Sequence, residues 1–159
     1  MSRYAEGTSV SVERSQAEIL RNLRRYGADA FAFGEEDGCG IVQFKLRGWP
    51  IRFRLQLPDR EATEFQRTPT RGKERSPIER LRLWEQACRQ KWRALSLFIL
   101  ATLEAVESGI IPFEHAWMPY CLLASRETVG EHFGQTLSKA IESGVMPRLL
   151  LPGPGMKES

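Results

Sequence analysis

The sequence predicts an α+β fold: an N-terminal helix, a three-stranded antiparallel sheet with a hairpin, one long central helix and two further C-terminal helices. Three observations predict it. Apolar residues from Leu81 to Val106 recur at threes and fours, as on one helix face. Residues 41–47 and 51–57 alternate apolar and polar side chains, as half-buried strands do. Helical runs are preceded by capping-box pairs, Ser15 with Glu18, Ser76 with Glu79 and Thr128 with Glu131.

Residues 1–10 are expected to be a flexible N-terminus, 11–146 a single α+β domain and 147–159 an irregular tail. The first helix starts near Ser11 or Ser15 and ends at Tyr26-Gly27. Its buried face is Ile19, Leu20, Leu23 and Tyr26, and Arg21, Arg24 and Arg25 suit the negative end of its dipole. Residues 30–33 form a short strand and 34–38 a turn. The next two strands join around Gly48-Trp49-Pro50. Val42, Phe44, Leu46, Ile51, Phe53, Leu55 and Leu57 point one way; Gln43, Lys45, Arg47, Arg52, Arg54 and Gln56 point the other. That polar face carries cations and no acid. Like charges opposed across strands cost stability, so an anionic partner or a neighbouring acidic segment is expected.

Residues 58–75 read as a long polar loop, a length that is usually functional or disordered. The long helix follows over 76–109, with Ser76 as cap, Pro77 at its first position and Gly109 just past its end. From Ala94 on it is apolar nearly all round, which predicts burial on several sides. A short helix over 113–120, an apolar piece over 121–124 and a last helix from Thr128 to about Ser143-Gly144 complete the chain. Phe133, Leu137 and Ile141 are the apolar face of that last helix.

The net charge of +3 is unevenly spread over the 159 residues. Residues 1–66 are neutral overall, 67–93 carry 9 basic against 3 acidic residues, and 94–159 are net acidic. A local excess of this kind suits a polyanion or an acidic protein. No apolar leader opens the chain, and Glu104 and Glu107 interrupt the longest apolar stretch, so neither a signal peptide nor a membrane span is expected. Three widely spaced cysteines, Cys39, Cys88 and Cys121, suit reduced thiols in a cytoplasmic protein.

Catalytic chemistry finds little support. His115 and His132 have no second ligand at helical spacing, and there is no Cys-x-x-Cys, so no metal is expected. Cys121 beside apolar residues reads as core rather than as a nucleophile paired with a histidine. No glycine-rich phosphate loop is present, and no cofactor is expected. The element order resembles the core of restriction-endonuclease-like nucleases. Their chemistry needs strand carboxylates to hold metal ions, whereas the third strand here carries Arg52-Phe53-Arg54. Likenesses in order to double-stranded-RNA-binding domains and to single-strand annealing proteins are of topology only.

One resemblance extends to the residues themselves. It rests on Ser11-Val12-Glu13-Arg14-Ser15, Arg24-Arg25-Tyr26-Gly27-Ala28, Thr68-Pro69-Thr70, the run from Trp84 to Leu95 and the run from Leu103 to Ile110. Together these resemble a family of small uncharacterised phage and prophage proteins. The resemblance covers most of the chain and implies a viral setting inside a host cell, often near replication and recombination genes. It implies no activity and no functional residues.

The function expected from these observations is a non-catalytic nucleic-acid-binding accessory protein of phage DNA metabolism, with DNA or RNA as partner. The alternative is a protein–protein inhibitor or adaptor acting on a host defence enzyme, and self-association is a further expectation. The candidate binding residues are Lys45, Arg47, Trp49, Arg52, Arg54, Arg67, Arg71, Lys73, Arg75, Arg80, Arg82 and Arg89. Trp49 and Phe65 are the candidates for stacking on bases, while Trp84 and Trp92 belong to the core.

Overall fold

A computed structural model describes residues 8–145. The N-terminal segment before Thr8 and the tail from Pro147 lie outside the described residues. The fold is α+β: α1 (Val12–Arg25), a meander of β1 (Asp29–Glu36), β2 (Cys39–Leu46) and β3 (Trp49–Gln56), then α2 (Thr63–Gln66), α3 (Pro77–Glu107), α4 (Phe113–Trp117) and α5 (Val129–Ser143).

Ser11, not Ser15, starts α1: its hydroxyl accepts the Arg14 amide, 3.2 Å away. Ser15 sits inside the helix and is fully buried. Gly27 follows the helix in the left-handed region (φ 84°) and turns the chain into β1.

β1 is longer than predicted, running through Gly34 to Glu36, so the turn shrinks to Asp37-Gly38. The second hairpin also turns on two residues, Arg47 and Gly48, rather than on Gly48-Trp49-Pro50. Both turn residues have positive φ, 49° and 83°, the combination that matches the twist of the flanking strands. Trp49 and Pro50 therefore belong to β3, and Arg47 leaves the polar face of the sheet.

The sheet's apolar side packs on α3. Val42, Phe44, Leu46, Ile51 and Phe53 are buried there with Trp92, Leu95, Ile99 and Leu103 of the helix. Ile19 and Leu23 of α1 and Trp117 of α4 close the same core. Burying a large apolar side chain contributes roughly 1.5–3 kcal/mol, so this cluster dominates the stability of the fold. An ion pair between Arg93 of α3 and Glu18 of α1 ties the two long helices together.

The second half of α3 is not wrapped on all sides. Phe98 remains 42% exposed. Its ring edge meets Tyr120 (centroids 5.8 Å apart), but among the described residues no helix lies over the outer side. The predicted helix over 113–120 splits into α4 and a 3-10 turn, Met118–Tyr120. Pro119 lacks an amide hydrogen and cannot continue the α-helical ladder. Residues 121–124 form no strand. Single bridges join Cys121 to Ile51 and Leu122 to Thr128, and the Leu122 amide donates to the Pro50 carbonyl at 2.7 Å. These contacts hold the start of α5 beside the edge of β3.

Candidate functional site

Residues 58–75 are ordered by a short apolar anchor. Phe65, on α2, is buried against the first half of α3. Beyond it, Arg67 and Glu74 form a bridge, the Thr68 amide donates to the Lys73 carbonyl (2.9 Å) and the Arg75 amide donates to the Gln66 carbonyl (2.9 Å). The result is a narrow loop with Arg71 and Gly72 at its tip. Trp84 of α3 pins the other end, donating its indole N–H to the Pro58 carbonyl at 2.8 Å. Phe65 therefore serves as the anchor of this segment and is not available to stack on a base.

Between this loop and α3 lies a wide-mouthed groove of about 860 Å³. Phe65 and Pro69 on one side and Leu83 and Ala87 on the other supply its apolar walls. Arg67 and Arg75 supply positive charge, Glu64 one carboxylate, and Gln86 and Gln90 amides. Arg67, Arg71, Lys73 and Arg82 are exposed and, among the described residues, have no acidic partner. Arg75 is half-buried, with one guanidinium nitrogen 3.5 Å from the Glu64 carbonyl.

Other predicted site residues are occupied within the chain. Arg80 turns back from the start of α3: its Nε donates to the Arg75 carbonyl at 2.9 Å and its Nη2 lies 3.9 Å from Glu74. The loop itself thus answers a cation that sits badly at a helix N-terminus. Arg89 donates to Gln86 Oε1, 2.6 and 3.1 Å away, and lines a separate pocket with Glu13, Glu35 and Glu85.

The polar face of the sheet meets acids from elsewhere in the chain. Lys45 stands opposite Asp29 in the β1–β2 register. Arg52 donates to the Arg126 carbonyl at 3.0 Å and lies 4.0 Å from Glu36. Arg54 donates to Cys39 Sγ at 3.9 Å. Glu131 lies close enough to Arg52 and Arg54 that both guanidiniums favour its charged form. Acids of the same chain, from β1 and α5, thus stand near this face.

Arg47 and Trp49 lie at the far end of α3. The Arg47 guanidinium stands over the Phe113 ring, 4.9 Å from its centroid, and Trp49 meets the same ring edge-on at 5.4 Å. Arg47 shares a cleft with Leu103 and Val106, whereas Arg67 and Arg75 share theirs with Leu83 and Gln90. At 1.5 Å per residue these levels are about 30 Å apart along the helix. The predicted basic residues thus form separate groups: Arg67 and Arg75 line the groove beside the start of α3, Arg89 lines the pocket next to it, and Arg47 lies at the far end.

Sequence reasoning missed Leu83, Ala87, Gln86 and Gln90 as groove residues. Their signal was present: they recur at threes and fours on a face of α3 adjacent to the core face of Cys88, Trp92 and Leu95. Among the described residues no group of three His, Cys, Asp or Glu side chains converges as metal ligands, and no helix is long and apolar enough to cross a membrane. The chain matches no protein-family model, no curated protein and no solved structure.

Proposed function

We propose that this chain is a non-catalytic nucleic-acid-binding accessory protein, which binds through the loop of residues 67–75 and the start of α3. The observation that carries this reading is the group Arg67, Arg71, Lys73 and Arg82, exposed and, among the described residues, without an acidic partner: Arg67 lines the groove, and the other three stand on the same loop or at the start of α3. Cations within the core of a fold's ion-pair network need no external anion. These four lack such a network, and a phosphate backbone supplies charge at the matching density. The phage setting implied by the sequence resemblance, and a cytoplasmic place of action in the host, accord with this reading. Lys45, Arg52 and Arg54 stand outside the interface, because acids of the same chain already face them.

A salt-titrated binding assay tests the proposal. DNA or RNA should bind at low salt and weaken steeply as salt rises, because each neutralised phosphate releases counterions. Replacing Arg67, Arg71, Lys73 and Arg82 with glutamine should abolish binding, whereas Arg54→Gln should leave it unchanged. Absence of binding at low salt would exclude this function.

A second reading has its own observation. α5 has an apolar stripe that no element among the described residues covers: Leu137 is 49% and Ile141 74% exposed. A protein partner, a host enzyme or a second copy, would bury that stripe. Recovery of one stable host protein by the purified chain, with no nucleic acid retained, would favour this reading.

A further inference from the structure

We infer that the groove beside α3 receives an unpaired nucleotide, so that the preferred ligand is a single strand rather than a duplex. The inference rests on the nucleic-acid reading above and specifies the ligand class of that site. A phosphate backbone alone needs only positive charge, which Arg67 at the groove and the exposed Arg71 and Lys73 of the same loop provide. It gives no use for an apolar concavity of about 860 Å³ between them and the helix.

Leu83 and Ala87 on α3 and Pro69 on the loop face this space, and each is at least partly open to solvent. Those walls match the flat apolar face of a nucleobase. In a duplex that face is stacked and out of reach, whereas a single strand can turn a base out onto a protein surface. Gln90 adds a polar contact: it lines the groove and, among the described residues, its amide has no hydrogen-bond partner. A carboxamide both donates and accepts, which suits the edge of a base. Gln86 is not equivalent, since its amide nitrogen donates to the Thr8 carbonyl at 3.0 Å and its oxygen accepts from Arg89.

The arrangement divides the two contributions between different residues. The rim arginines set affinity for any polyanion and carry its salt dependence. The walls and Gln90 act only when a base is exposed. Removing a wall should therefore change the preference between ligands without changing the salt slope.

Fluorescence anisotropy with the full chain and four probes of equal length tests this: single-stranded DNA, single-stranded RNA, duplex DNA and an abasic single strand. Both ordinary single strands should bind about tenfold more tightly than the abasic strand and the duplex, on the scale of one seated base. Ala87→Phe, which fills the groove, and Gln90→Ala, at a half-buried position, should each reduce that margin at unchanged salt slope. Gln90→Ala guards against a folding defect in the larger substitution. Equal affinity for the abasic and ordinary strands, or a margin unaffected by both variants, would overturn the inference and leave the nucleic-acid reading standing. Failure of every probe to bind at low salt would overturn both.

Discussion

Gly40 has no room for a side chain. A Cβ built there would lie 2.6 Å from Cζ2 of Trp92, so the indole rests directly on the backbone of β2. Gly40→Ala should cost about 1–3 kcal/mol as the ring is displaced, which urea denaturation will measure. Combined with Trp92→Phe the cost should be less than additive, because the smaller ring removes the clash. At the start of α5, Thr128 and Glu131 form a complete capping box. The Thr128 amide, donating at 2.7 Å, is the main reason the Glu131 carboxyl titrates below the usual carboxylate range, and Arg52 and Arg54 add to the effect. A lowered pKa contributes stability that is fully present above the unfolded-state value and is lost as pH falls through the folded-state value. Acid should therefore loosen the start of α5 over that window, and Glu131→Gln should flatten the change, followed by circular dichroism. Such pairings were hard to see in the chain. The box itself was legible from its spacing, but the approach of Glu131 to Arg52 and Arg54 joins positions nearly eighty residues apart.

Elements were legible wherever periodicity persists. α3 declared itself through Cys88, Trp92, Leu95, Ile99 and Leu103, and its cap at Ser76 was read correctly, with the hydroxyl accepting the Glu79 amide at 3.3 Å. The β2–β3 hairpin was legible in its alternation but not in its turn. Arg47 is an uncommon residue for a left-handed conformation, so the Gly-Trp-Pro triplet looked like the better corner. The loop before α3 was the least legible element. Its order rests on Phe65, the Trp84 indole and a few backbone hydrogen bonds, and none of these produces a repeating pattern. That dependence leads to a prediction. Phe65→Ala should remove the anchor at a cost of about 3 kcal/mol or somewhat less if the loop simply detaches. Proteolysis should then cut within residues 58–75 while the core of the sheet and α3 stays protected.

The whole molecule is a sheet and a helix pair sharing α3 as a common axis, with different chemistry at its two ends. The loop and the start of α3 carry the groove and, among the described residues, the cations without acidic partners; the sheet and α1 occupy the middle; α4 and the Arg47 turn close the far end. The sequence places the excess charge in residues 67–93, part of which lines the groove. It gave no means of seeing that acids stand near the cations on the strands, because Asp29 and Glu36 come from β1 and Glu131 from α5. The exposed stripe of α5 belongs to this scale as well. If self-association buries it, Leu137→Lys with Ile141→Lys should lower the apparent mass by sedimentation without a matching loss of thermal stability. An unchanged mass would assign the stripe to another partner or to none. α5 makes its main packing contact with the 3-10 turn, and none of its residues is fully buried. Its local opening free energy must then lie well below that of the body, since few apolar contacts are broken when it detaches. Amide hydrogen exchange should follow that hierarchy, with α5 deuterating as one early unit and the middle of α3 exchanging only through global unfolding.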